Sequence, residues 1–230
     1  MIDYRSFRPS LINTPKFSHL KYLLYWPIYG IAFALLERGV KGRTYYPVES
    51  ALDSCIPFCE YFLIPYMLWF VYLVGGVFYG CLFYVRAFKR YMQFVMLTYT
   101  VTVIIYMIFP TCQNLRPTTF ENDNFFTRFI AGFYVFDTNT NVCPSIHVLG
   151  AVAVSYGAWN SKHFGSYMWR VIFSIATVFI SLSTVFMKQH SIIDVFASAI
   201  LCAVAVPICQ KIEQRSERRS CAKARPEVKI

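Results

Sequence analysis

The sequence predicts an all-α fold: a polytopic membrane helical bundle of about six transmembrane helices, with its functional site at the extracytoplasmic end. Three observations point there. Of the 230 residues, 57% are hydrophobic and only 15% charged, a balance foreign to water-soluble domains of this size. Mean hydropathy is +0.44, and several apolar runs are long enough to cross ~30 Å of hydrocarbon at ~1.5 Å per residue. Lys and Arg are also spread unevenly over the connections between those runs.

The elements follow in chain order. Residues 1–18 form a polar, cytoplasmic N-terminal segment with Arg5, Arg8 and Lys16; no small-residue cleavage site follows it, so the first apolar run is expected to stay in the membrane. Residues 19–209 form the membrane-embedded domain, with spans near 22–36, 61–84, 93–109, 145–159, 171–187 and 192–209. The first is marginal in length and contains Pro27 and Gly30. Residues 210–230 are a basic cytoplasmic tail. With the N-terminus inside, 16 of the 22 Lys and Arg fall on the cytoplasmic side, and Arg38, Lys41, Arg43, Arg116, Arg128 and Lys188 fall outside, as the positive-inside tendency requires. The basic tail therefore reads as an orientation signal facing anionic headgroups, and the net charge of +10 does not indicate nucleic acid. Aromatic residues, 19% of the chain, supply lipid-facing surface and interfacial belts. Gly75, Gly76 and Gly80 suit close helix approach, and His19 and His163 are expected in solvent.

Unusual polar residues collect on the outer side. In "KQHSIIDVF" His190 and Asp194 lie one helical turn apart, so the carboxylate can hold one ring nitrogen and leave the other as base or nucleophile. The same pair also suits an ordinary helix start. In "NVCPSIHVLGA" Pro144 suits the first helical position and leaves the amides of Ser145, Ile146 and His147 free, an anion site beside an acid–base imidazole. The 32-residue stretch from Cys112 to Cys143, active-site loop 111–144, supplies Arg116, a guanidinium suited to phosphate, and an aromatic segment near 125–136 that reads either as an interfacial helix or as a loop packed over the bundle. Cys112 and Cys143 face an oxidising side and are candidates for pairing; Cys55, Cys59, Cys81, Cys202 and Cys209 read as packing residues.

Arg116-Pro117, Pro144-Ser145-x-His147 and His190-x-x-x-Asp194, in that order, resemble the phosphatidic acid phosphatase type 2 superfamily of lipid phosphate phosphatases. The motif form is most similar to its branch of inositol phosphorylceramide and sphingomyelin synthases. The resemblance implies a phosphohistidine on His190, orientation by Asp194, protonation of the leaving alcohol by His147, and a phosphate held by Arg116, Lys188, Ser145 and the Ile146 amide, with no metal or other cofactor. It also implies a lipid phosphate substrate among membrane lipids of a plasma or bacterial cytoplasmic membrane. Two family cations are missing: Phe109 and Thr184 occupy their places, and Lys188 is the nearest replacement. The expected activity is hydrolysis of a lipid phosphomonoester or pyrophosphate, a step in phospholipid metabolism. Transfer of a phospho-headgroup by the same histidine is the alternative. Two other readings rank lower: a metal site built from His147, His190 and Asp194, which leaves Arg116-Pro117 without a role, and a transporter or flippase, which the near absence of charge within the spans disfavours.

Overall fold

A computed structural model describes residues 2–39 and 42–224. Its helices are α1 (Tyr25–Ala34), α2 (Ala51–Cys55), α3 (Leu63–Phe83), α4 (Val85–Ile108), α5 (Phe125–Phe136), α6 (Ile146–Trp159), α7 (Tyr167–Phe186) and α8 (Ile192–Ala224). Four are long and apolar enough to cross a membrane: Glu60–Phe83, Val85–Ile108, Tyr167–Phe186 and Ile192–Arg218. Two expected spans differ from this pattern. The first is a mixed track, a 3₁₀ turn Ser18–Leu24, then α1, then a π turn Leu35–Gly39, laid against α4. The fourth is α6, of only 14 residues, shorter than a usual ~20-residue crossing.

α6 is short but central. It packs against α3, α4, α7 and α8, and ten of its residues are buried. Its sequence IHVLGAVAVSYGAW is rich in small residues because neighbours close in on every side. A Cβ on Gly150 would lie 2.6 Å from the Tyr99 hydroxyl and 2.7 Å from Leu73 Cδ1, and one on Gly157 would lie 2.9 Å from Tyr91 Cβ and 3.2 Å from the Ala87 carbonyl. Of the expected close-approach glycines, Gly76 meets Val154 and Gly80 meets Phe88 at 3.2 Å, whereas Gly75 meets nothing within 4 Å. α4 turns a stripe toward α6: Phe88, Tyr91, Val95, Tyr99, Thr102 and Tyr106, spaced three or four apart, are buried.

Because α3, α4, α6, α7 and α8 run alternately up and down, the start of α3, end of α4, start of α6, end of α7 and start of α8 share one end. The loop 111–144 covers that end. A two-residue parallel pairing of Tyr46–Pro47 with Thr111–Cys112 ties it to the segment before α2. The aromatic segment is a helix, not an irregular loop. In α5, capped by Asn124 and Thr127 in a reciprocal box, Thr127 and Ile130 are buried, while Phe125, Phe129, Val135 and Phe136 are exposed. At the opposite end, residues 210–224 continue α8 as helix, and Glu213 and Glu217 pair with Arg90 and Arg86 at 2.5 Å. Lys41, Arg225 and Lys229 lie outside the described residues. His163 is exposed as expected, but His19 is buried: its ring lies 2.8 Å from the Tyr4 hydroxyl, which donates to the Cys81 carbonyl. The polar N-terminal segment folds back on the bundle and covers that imidazole.

Gly157→Ala is predicted to lower the apparent melting temperature in detergent, because overpacking against backbone and a Cβ costs about 1–3 kcal/mol and outweighs the ~1 kcal/mol gained in helix propensity. Gly75→Ala, in open space, leaves it unchanged or raises it. A thermal shift assay of the two variants compares them directly, and equal melting temperatures contradict the packing account.

Candidate active site

Two segments 43 residues apart in sequence converge at the covered end. His147 Nδ1 lies 3.3 Å from His190 Nε2, and His190 Nδ1 lies 3.1 Å from Asp194 Oδ2. All three side chains are buried. An ionised Asp194 accepts from His190 Nδ1–H, which leaves Nε2 of the neutral ring as an acceptor, so the shared proton in the imidazole pair belongs to His147 Nδ1. His190 thus presents a lone pair to a neighbour that holds a proton. His147 is clamped from the side by Tyr66 and Trp69, whose ring centroids lie 4.7 and 4.4 Å away.

Each imidazole is held by its own set of bonds. α6 begins at Ile146, two residues after the Pro144 expected in its first position: Ser145 is its N-cap, Pro144 stands ahead of the helix, and the Cys143–Pro144 peptide is cis. The Tyr106 hydroxyl donates to the Pro144 carbonyl at 2.5 Å and the Tyr99 hydroxyl to that of Ile146 at 3.1 Å, so α4 fixes the height of His147. The Ser145 amide is not free, as the helix-start argument expected. It donates to Ser198 Oγ at 2.7 Å, and that hydroxyl also lies 2.7 Å from the Asp194 carbonyl. Ser198 therefore joins the first turn of α6 to the first turn of α8.

His190 follows a tight turn. Lys188 adopts a left-handed backbone (φ 53°), and its carbonyl and that of Gln189 accept from Gln113 Nε2 at 2.9 and 3.3 Å. The His190 amide donates to the Thr184 carbonyl at 3.0 Å. A left-handed non-glycine residue costs of order 1 kcal/mol or more and persists where surrounding bonds overdetermine it. α8 then starts two residues after His190. Ser191 and Asp194 form its capping pair: the Ser191 amide donates to Asp194 Oδ2 at 3.0 Å and the Ile193 amide to Ser191 Oγ at 3.2 Å.

The cations stand close by, but their donors are largely engaged. Arg116 donates to the carbonyls of Tyr134, Asp137 and Thr138 at 2.8–2.9 Å and to Gln189 Oε1, and its guanidinium lies over the Tyr134 ring. Lys188 Nζ donates to the Asp53 and Ile56 carbonyls at 2.7 and 2.5 Å, and burial lowers its pKa from the usual lysine value. Phe109, at one missing-cation position, stacks on Tyr46 at 4.8 Å, and Thr184 is buried with its hydroxyl on the Ser181 carbonyl. Cys112 and Cys143 are both free thiols. Burial and the neighbouring Asp194 push the Cys143 pKa up to about 12.

Four buried donors near the imidazole pair have no protein partner among the described residues, Trp69 Nε1, Arg116 Nε, Ser145 Oγ and Gln189 Nε2, and neither does one acceptor, Asp194 Oδ1. Unpaired buried donors cost about 1–3 kcal/mol each, so a cluster of them points to a group that accepts. No cluster of three His, Cys, Asp or Glu side chains among the described residues is arranged to hold a metal ion. His147 and Asp194 meet opposite nitrogens of the His190 ring, which keeps the three from converging on one point.

Sequence reasoning missed the supports. Asp53 had a signal, since Ser50-x-x-Asp53 is a capping pattern, and Ser198 lies one turn beyond Asp194 on the same face. Tyr99 and Tyr106, seven apart on α4, were legible as a pair on one face. Gln113, and Glu37, which accepts from Thr138, Thr140 and Asn141, carried no local signal.

Comparisons with protein-family models, with curated proteins and with solved structures return no match for this chain.

Asp137 supplies a pH test. Burial raises its pKa above the ordinary carboxylate value, although the Tyr66 hydroxyl at 2.8 Å opposes the shift. Its pKa is higher folded than unfolded (~3.9), so its destabilising charge is absent at low pH and develops as pH rises through the folded value. Asp137→Asn is therefore predicted to raise the melting temperature more at pH ~8 than at pH ~4. An equal change at both pH values contradicts the burial of a carboxylate there.

Proposed function

We propose that this protein is an integral membrane lipid phosphatase of the phosphatidic acid phosphatase type 2 kind, hydrolysing a lipid phosphomonoester or pyrophosphate through a phosphohistidine. The observation that carries the reading is the relay Asp194–His190–His147, with its contacts of 3.1 and 3.3 Å. Paired with the bound phosphate anion, His147 enters this step as the imidazolium; His190 Nε2 attacks phosphorus, the new N–P bond forms as the ester P–O bond breaks, and His147 passes its Nδ1 proton to the departing oxygen. His147, now neutral and proton-accepting, takes a proton from water as that water attacks the phosphohistidine, and inorganic phosphate leaves. Nitrogens 3.3 Å apart leave no room for a phosphoryl group between them, so the described state is a closed resting state in which substrate takes the place of the imidazole contact.

The unpartnered donors of Arg116, Ser145 and Gln189 support binding of the equatorial oxygens, where stabilising developing charge contributes most. Lys188 adds positive potential at the turn beside them. The chain crosses the membrane six times in this reading, with α6 as a short fourth crossing and the track 18–39 as the first, and the site faces the extracytoplasmic side. Charge placement supports that orientation: Arg86, Lys89, Arg90, Lys211 and Arg215 lie at the end away from the site.

One observation favours a second reading. His147 and His190 are only 5% and 6% exposed, and a site that excludes water so well suits a lipid alcohol as acceptor, which makes the enzyme a phospho-headgroup transferase.

Purified protein incubated in detergent with lipid phosphates and diacyl phosphodiesters, with and without an acceptor lipid, decides between them: free phosphate supports hydrolysis, and a new phosphodiester lipid supports transfer. His190→Ala is expected to reduce turnover to background. His147→Ala is expected to lose roughly 10²–10⁴-fold on alkyl esters but far less on an aryl phosphate, whose leaving group needs no proton. Turnover that survives His190→Ala contradicts the nucleophile assignment.

A further inference from the structure

Asp53 lies in α2, far in sequence from every motif residue, yet its carboxylate is 1% exposed at the start of α8. Oδ1 accepts from the Ile192 amide at 2.8 Å; Oδ2 accepts from the Ser191 hydroxyl and the Ser50 amide, both at 2.7 Å. The first amides of a helix have no partner within it, and here three groups satisfy them. Asp194 takes Ser191, Ser191 Oγ takes Ile193, and Asp53 takes Ile192. Two of the three acceptors belong to the segment that carries His190. Asp53 alone comes from outside it, and it therefore ties that segment to the rest of the protein. Its main chain adds a second tie, because Lys188 Nζ donates to the Asp53 carbonyl on the other side of His190. The five residues 188–192 are thus held at both ends by α2 and its flank.

We propose that Asp53 is a positioning residue for the nucleophile: it fixes the N-terminus of α8, and with it the His190–Asp194 contact and the aim of His190 Nε2 at the reacting phosphorus. This rests on the assignment of His190 as nucleophile. Asp53 itself touches no reacting atom. Its effect passes through Ser191, whose amide and hydroxyl link the two carboxylates: the amide goes to the Asp194 oxygen that holds the His190 ring, and the hydroxyl goes to Asp53. Asn cannot replace it. An amide nitrogen in place of either oxygen would face the Ile192 or the Ser50 N–H, donor against donor. The α8 terminus then shifts or loses its lock, and a misplacement of about 1 Å at a reacting centre costs on the order of 10² in rate.

The test compares Asp53→Asn with Ser50→Ala. The latter removes the side-chain cap of α2 without touching α8, so it reports the cost of loosening α2 alone. Asp53→Asn is expected to lower kcat on the lipid substrate by roughly 10²-fold with KM within a few-fold, and Ser50→Ala to leave kcat near wild type. Side-chain ¹⁵N spectra of the histidines need no substrate: wild type is expected to show His190 as the Nδ1–H tautomer alone, and Asp53→Asn a mixture. Should Asp53→Asn fail to fold, Ser191→Ala removes the hydroxyl bond to Asp53 and is expected to show the same changes in smaller measure. A folded Asp53→Asn with wild-type kcat and a single His190 tautomer overturns the proposal. An equal loss of kcat in Ser50→Ala overturns it too, by showing that Asp53 matters only through α2. A wild-type protein inactive on every lipid phosphate, with a tautomer that nevertheless responds to Asp53→Asn, sinks the proposed function and leaves Asp53 as an organiser of the pair.

Discussion

One carboxylate oxygen, Asp194 Oδ2, holds the His190 ring and the Ser191 amide at once. A helix start needs an acceptor for its open amides, and an imidazole held in one tautomer needs an acceptor for its N–H. Here one atom meets both needs. The consequence is mechanical: His190 moves only if the first turn of α8 moves. Everything that fixes that turn therefore also fixes the His190 ring.

The rest of the bundle can be understood as the means of bringing a second imidazole to the same place. α6 reaches the site through a packed interior because Gly150 and Gly157 let Tyr99, Trp69 and Tyr91 come against its backbone. Its height is set by tyrosine hydroxyls of α4, and its distance from α8 by the Ser198 hydroxyl together with the bond from the Ser145 amide to the Asp194 carbonyl. In a bilayer, where no water competes, such hydroxyl bridges between helices carry orientation that a purely apolar contact would leave loose. The loop 111–144 is equally constrained. Arg116 gathers the end of α5 and the residues after it, and Glu37 gathers Thr138, Thr140 and Asn141. The arginine that structures the loop also keeps one buried donor, Nε, without a protein partner.

The helical class and four of the spans were legible because hydropathy over ~20 residues reflects the solvent directly. So was the His190–Asp194 contact, from its four-residue spacing beside a helix start; that His147 meets it from another helix followed from the order of the motifs and the topology, not from spacing. The first span was less regular than its composition suggested, because propensity says little about whether a turn closes as 3₁₀, α or π. The start of α6 was misread because Pro144 fits two positions near a helix start and only tertiary partners choose between them. Asp53, Ser198 and Gln113 act across 53 or more residues of sequence, and such pairings leave no periodic trace. The free state of Cys112 and Cys143 could not be deduced from spacing, since both lie on a loop whose path is set by Arg116 and Glu37.

The central claim is a covalent phosphate on His190. Rapid alkaline quenching of the enzyme with a ³²P-labelled lipid phosphate, followed by peptide mapping, tests it directly. An acid-labile, alkali-stable label confined to the peptide containing His190, accumulating when His147 is replaced by alanine and the leaving group is an aryl oxide, is the result this account requires. Label on a serine or an aspartate, or turnover with no labelled protein at any quench time, contradicts it.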